Sequence, residues 1–204
     1  MARERTPEEV AGEWFPTPAW VVDRLVECLQ RDTSHLSGSL ALDPCVGLDA
    51  LPRAWDAACG SPYVWTKVDI RDTGVSGATV ANYLSWTPVV RFDLCVMNPP
   101  FSLALKFAHR ACQHARTVFM LQRLDWLASE KRQPWMRDHT PSVFVIPNRI
   151  DFDGRGGDQR DYAWFGFGVD AHPTVRILDT TPADVRRAQK PGRPRERQRE
   201  LASW

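Results

Sequence analysis

Apolar residues recur along this chain at two spacings. Val21, Val22, Leu25, Val26 and Leu29 follow the three-and-four step of one helix face, which predicts a helix over AWVVDRLVECLQ (19–30). Pro18 stands just ahead of it and suits a first turn, where no backbone donor is needed. The next apolar runs are short and rich in branched and aromatic residues: LALD (40–43), YVWTKVD (63–69), ATVANYL (78–84) and RFDLCVM (91–97). All four read as strands. ALPRAWDAAC, after the turn PCVGLD, reads as a helix. So does SLALKFAHRACQHA (102–115), where Leu103, Phe107, Ala108 and Ala111 share a side and Ser102 stands in capping position. His109 and His114 of this helix read as surface residues. TVFMLQ (117–122), SVFVIP (142–147) and YAWFGFG (162–168) complete seven strands, with LDWLASEKRQPWM as a broken helix and DFDGRGGDQRD (151–161) as a loop.

Strands that alternate with helices predict an α/β fold with a central, mostly parallel seven-stranded sheet and helices on both faces. The last two strands have no helix between them, which predicts an antiparallel pair at one edge. A chain of 204 residues suits a single domain with a sizeable core. We expect a polar segment over 1–13, the domain over 14–180, and a basic tail over 181–204. That tail, DVRRAQKPGRPRERQRELASW from 184, is rich in arginine and reads as a solvated run or an arm for phosphates. No apolar run reaches membrane-spanning length, and MARERTPEEV lacks the apolar core of a signal peptide. The five cysteines show neither CxxC pairs nor metal-ligand spacing with histidine, so they read as reduced, buried thiols in a cytoplasmic protein, and no metal site is expected.

In an open α/β sheet, ligands bind beyond the carboxyl ends of the strands. Asp43, Pro44 and Gly47 stand there after the first strand, Asp69 ends the second, and Asn82 and Tyr83 close the third. The fourth ends in Asn98-Pro99-Pro100-Phe101. A carboxylate at the end of a second strand can accept hydrogen bonds from both hydroxyls of a ribose. The turn after the first strand holds one glycine, too few backbone donors at close approach for a pyrophosphate. A cofactor with a ribose and no phosphates fits better, which favours S-adenosylmethionine over a nicotinamide dinucleotide. No Ser/His/Asp or Cys/His set accompanies these residues.

In this order, Phe15-Pro16-Thr17-Pro18, Leu42-Asp43-Pro44-Cys45-Val46-Gly47, Asp69, Asn82-Tyr83-Leu84 and Asn98-Pro99-Pro100-Phe101 resemble the motifs of class I S-adenosylmethionine-dependent N6-adenine DNA methyltransferases. The segment from Asp151 through DYAWFGFG resembles the late aromatic motif of small, phage-type members. The resemblance implies a Rossmann-like methyltransferase fold and transfer of a methyl group to the exocyclic amine of a flipped-out adenine. Phe15, Pro16 and Thr17 would line the methionine end of the cofactor and Asp43 would meet its ammonium, directly or through water. Asp69 would meet the ribose and Asn82 the adenine, and Pro44, Gly47, Ile70, Tyr83 and Asn98 would also belong to the cofactor site. Asn98 and the Pro99 carbonyl would accept the two hydrogens of the target amine, with Pro100 fixing the turn and Phe101 stacking on the base.

We expect no separate target-recognition domain in a chain of this length. Either Arg149, Arg155, Arg160, Trp164 and the tail read a short sequence on double-stranded DNA, or a second subunit of a homodimer supplies further contacts. Trp126 and Trp135 are candidates for stacking beside the extruded base. An NPP-aromatic turn recognises a planar NH₂ whatever carries it. RNA, cytosine N4 and a protein glutamine amide are therefore alternative substrates, and a non-catalytic cofactor- or nucleic-acid-binding module is an alternative of another class.

Overall fold

The computed structural model describes residues 16–31, 38–60, 63–152 and 159–189. Helix α1 (Ala19–Gln30) leads into β1 (Leu40–Asp43), α2 (Ala50–Cys59), β2 (Val64–Asp69), β3 (Ala78–Val80) and β4 (Phe92–Met97). A 3₁₀ turn (Phe101–Leu103) opens α3 (Ala104–His114), which runs directly into β5 (Ala115–Arg123). A second 3₁₀ turn (Leu124–Leu127), α4 (Gln133–Asp138), β6 (Ser142–Ile146), β7 (Tyr162–Phe167), β8 (Val175–Ile177) and α5 (Ala183–Ala188) complete the described chain.

The eight strands form one sheet in the order β3-β2-β1-β4-β5-β7-β6-β8. All neighbours are parallel except β7, which lies between β5 and β6 and is antiparallel to both. Side chains of a strand alternate between its faces, and the core divides accordingly. Leu94, Val96, Phe119, Leu121 and Trp164 pack under α1 and α2. Cys95, Met97, Val118, Met120, Ala163 and Phe165 pack under α3 and the turn that holds Trp126. Among the described residues no helix is long and apolar enough to cross a membrane.

The α/β fold with its mostly parallel sheet is present as expected, with four differences of detail. An eighth strand lies outside β6. Its three residues place Val175 and Ile177 outward, so it lacks the core-facing apolar pattern by which a strand is recognised. The third strand ends at Val80 and not at Leu84. Asn82 Oδ1 accepts the Leu84 N–H (3.0 Å) and the Asn82 carbonyl accepts the Ser85 and Trp86 N–H groups, so a turn closes where extended chain was expected. Ser102 does not cap α3; it lies inside the 3₁₀ turn, and Leu103 takes the cap position without a side-chain bond. The packed chain also runs past residue 180. Thr181 is buried, its N–H donates to Asn148 Oδ1 (2.6 Å), and α5 follows.

Trp164 and Trp126 are core residues. Trp164 is 0% exposed, and its Nε1 donates to the Val21 carbonyl on α1 (3.0 Å). All six residues of β7 are buried because the strand is interior to the sheet, which removes Trp164 from any substrate surface. Trp126 is buried edge-on against Phe165 at 5.1 Å. Trp135 rests on Phe167 and stacks on His139 at 4.6 Å. Phe167 pairs with Val118 near the start of β5, so Trp135 stands at the end of the sheet opposite Asn98. Trp164→Ala should cost about 3–5 kcal/mol of stability, read from urea unfolding. A loss below about 1 kcal/mol would contradict a core role.

Candidate active site

From β1 the chain adds β2 and β3 on one side and β4 on the other, so the order reverses between β1 and β4. Strand ends diverge at such a switch point and leave a crevice. Asp43, Asp69 and Asn98 come from the carboxyl ends of the three adjacent strands β1, β2 and β4.

Asp43 is 0% exposed. The Cys45 N–H donates to its Oδ1 (3.1 Å), while Oδ2 is buried with no hydrogen-bond partner. Burial, reinforced by the charges of Asp69 and Asp49, pushes the carboxyl up to about 8. The Asp69 carboxylate is satisfied differently. Gly47 N–H donates to Oδ2 (3.0 Å), and the Arg71 backbone N–H and Nε donate to Oδ1 (3.0 Å each). Arg71 Nη2 reaches Oδ2 (3.2 Å). Gly47 itself holds φ 53°, the left-handed conformation that glycine adopts without a steric penalty, and this aims its N–H at Asp69. Any diol that approaches Asp69 must therefore displace Arg71, whose side chain is only partly buried and able to swing. Ile70, next in the chain, is 49% exposed and offers an apolar platform beside the carboxylate.

Across the switch point, Asn98 Nδ2 donates to Thr17 Oγ1 (3.1 Å). Thr17 is buried and lies in the segment Pro16–Pro18 before α1, so two motifs 81 residues apart meet in one hydrogen bond. The bond anchors the Asn98 amide at its Nδ2 end, and Oδ1 is its acceptor end. Pro99 is buried and its carbonyl accepts Gln122 Nε2 (3.4 Å) from the end of β5. Phe101 carries the Arg123 guanidinium over its ring at 4.6 Å and lies 6.0 Å from the tilted ring of Tyr162.

The structure thus brings together Pro16, Thr17, Asp43, Pro44, Gly47, Asp69, Ile70 and the tetrapeptide from Asn98 to Phe101. Asn82 stands exposed beyond β3, on the Asp69 side. Tyr83 does not join them. The Asn82 turn points it inward, against Phe107 (5.2 Å) and with its hydroxyl 3.2 Å from His114 Nδ1. His114 is consequently buried and not a surface residue, and burial lowers its pKa. Arg149 and Arg160 are exposed, Arg149 in an ion pair with Asp161 (3.5 Å). Phe15 and Arg155 lie outside the described residues. Sequence reasoning missed Arg71, Gln122 and Arg123. Gln122 had a signal, a polar side chain ending the apolar run TVFML, and it is buried in the structure.

No family model matches the chain, and no curated protein matches it in sequence. Solved structures do match its architecture. A protein assigned to the class I S-adenosylmethionine-dependent methyltransferases from Listeria monocytogenes superposes with TM-score 0.61 at 13% identity, covering 83% of this chain and 68% of its own. The methyltransferase subunit of a type I restriction-modification system from Streptococcus thermophilus gives 0.65 at 13% identity, with 85% of this chain covered. This chain spans about half of that subunit, 52%. The 23S rRNA methyltransferase ErmE gives 0.53 at 14% identity over 78% of this chain and 71% of its own. The fold is that of the class I S-adenosylmethionine-dependent methyltransferases.

In this methyltransferase fold Asp43 has a measurable consequence for stability. Its folded pKa, about 8, lies above the ordinary 3.8, so the folded state holds a proton that the unfolded state has released. The stability linked to that proton is complete below pH 3.8 and is lost as the pH rises through about 8. Asp43→Asn removes this dependence. Its melting temperature should gain on the wild type steadily from pH 5 to pH 8.5 in thermal scans; parallel curves would contradict the assignment.

Proposed function

We propose that the chain is an S-adenosylmethionine-dependent methyltransferase acting on the exocyclic N6 of adenine in DNA. One observation carries this reading. The Asn98 amide, tied through Nδ2 to Thr17, and the Pro99 carbonyl, tied to Gln122, form a rigid acceptor pair across the switch point from Asp43. A flat NH₂ has two hydrogens, and two fixed acceptors suit it.

The residues around β1 and β2 fit the cofactor. The partnerless Asp43 Oδ2 is a buried carboxyl oxygen that would give up its raised-pKa proton to pair with an ammonium, Asp69 can accept from ribose hydroxyls once Arg71 moves, and Ile70 can cover an adenine face. Asn82 would offer its side-chain NH₂ to a ring nitrogen. Bound there, S-adenosylmethionine supplies a methyl carbon made electrophilic by its sulfonium. What remains is done by the chain itself. An aromatic amine is a weak nucleophile because its lone pair is conjugated with the ring. Acceptors that draw both hydrogens out of the ring plane turn the nitrogen toward a tetrahedral shape and release that pair. Asn98 does this without placing a negative charge beside a cationic donor. Pro99 and Pro100 fix φ near −65° and remove competing N–H groups, so the carbonyl is oriented in advance. Proximity supplies the larger share of the rate. Extrusion of the base from the duplex is required, since the amine is otherwise paired.

The test is transfer of a tritiated methyl group to plasmid DNA, total RNA and protein, followed by nucleoside analysis. Label as N6-methyladenine in DNA is expected. Label in RNA, on cytosine N4 or on glutamine would move the activity to another planar amine, and no label in any arm would remove the catalytic reading. Asn98→Ala should reduce kcat about 10²–10³-fold or more while leaving cofactor affinity within a few-fold. Asp69→Ala should weaken S-adenosylmethionine binding by about 10- to 100-fold in calorimetry, the scale of hydrogen bonds to a charged acceptor. Unchanged affinity would count against the ribose role.

A further inference from the structure

Phe101 was expected to stack on the extruded base, yet its ring is already engaged. The Arg123 guanidinium carbon lies 4.6 Å from the ring centroid, and Tyr162 approaches at 6.0 Å with its plane tilted by 43°. A purine cannot lie on the face that Arg123 covers unless the guanidinium leaves. Arg123 is itself poorly satisfied. Its Nε is buried without a hydrogen-bond partner, and among the described residues it has no ion pair. It stands at the carboxyl end of β5, adjacent to Gln122, whose Nε2 holds the Pro99 carbonyl. A cation with five donors, stacked on an aromatic ring beside an acceptor pair for an NH₂, lacks only an anion.

Resting on the nucleic-acid reading above, we propose that Arg123 is a substrate-displaced positioning residue. It fills the base-stacking place on Phe101 until a purine enters, then swings off the ring to bind the phosphodiester flanking the extruded nucleotide. Guanidinium and purine are both flat π-stacking groups, so one replaces the other on Phe101 with little loss of contact. The displaced Arg123 gains the acceptor oxygens that it lacks at rest, and a phosphodiester supplies these in the bidentate geometry that guanidinium prefers. The exchange penalises any planar amine that arrives without an anionic backbone, so Arg123 discriminates nucleic acid from free nucleoside.

The experiment uses the full chain and wild-type activity on plasmid DNA as its baseline. Arg123→Met keeps the length and packing of the side chain without its charge, and Arg123→Lys keeps the charge without the plane. For Arg123→Met we expect KM for DNA to rise about tenfold and the slope of log(kcat/KM) against log[KCl] to become shallower by about one. Cofactor affinity and melting temperature should stay near wild type. Arg123→Lys should retain the salt slope. With free deoxyadenosine, which has no phosphate to reward the arginine, Arg123→Met should equal or exceed the wild type, a crossed pattern that a purely structural role does not produce. Equal losses of Arg123→Met on DNA and on deoxyadenosine, or a salt slope unchanged from wild type, would overturn the proposal. A wild type that labels no nucleic acid would instead sink the reading on which it rests, before any variant is compared.

Discussion

The site depends on a constraint of topology. A parallel sheet that grows outward from β1 in both directions must send successive loops to opposite faces, and at the point of reversal no connection covers the strand ends. Asp43, Asp69 and Asn98 gather there because they end β1, β2 and β4, three adjacent strands. The same geometry explains the electrostatics. Asp43 is enclosed between neighbouring strands with one oxygen satisfied and the other not, and burial raises its pKa more than the nearby carboxylates do.

On the other side of the crevice the organising idea is restraint of acceptors. An amide side chain can turn about its last bond and exchange its two ends, which would present a donor where an acceptor is required. The bond from Asn98 Nδ2 to Thr17 Oγ1 tethers the side chain at one end. A proline-rich turn does the same for a carbonyl, and Gln122 adds a tether from the next strand. Restraint of this kind is established on folding. The helices take no direct part. Their apolar faces hold β1, β4 and β5 in register, so that Thr17, ahead of α1, and Gln122, at the end of β5, arrive at the same tetrapeptide.

The aromatic residues divide by the strand they occupy. Trp126 and Trp164 were expected near the substrate. Trp164 and Trp126 are instead structural: one is interior to the sheet with its indole donor spent on the Val21 carbonyl, the other is packed on Phe165. Phe101 differs in being only partly buried: it packs on the core's edge beside Tyr162, and an arginine from β5 covers its ring.

Short apolar runs rich in branched and aromatic residues marked the strands from β1 to β7, because a strand inside the sheet buries both of its faces, and the three-and-four spacing of α1 and α3 marked helices that bury only one. The turns were legible for a related reason: Gly47 and the paired prolines are residues whose backbone limits are local. What periodicity cannot carry is the identity of neighbours distant in the chain. Tyr83 followed Asn82 in a motif, yet a turn held by Asn82 Oδ1 sends it to His114. Arg71 on Asp69, Gln122 on Pro99 and Arg123 on Phe101 came to light only once the strands were laid side by side. Local chemistry is written residue by residue, while a contact between strand ends exists only after the sheet has chosen its order.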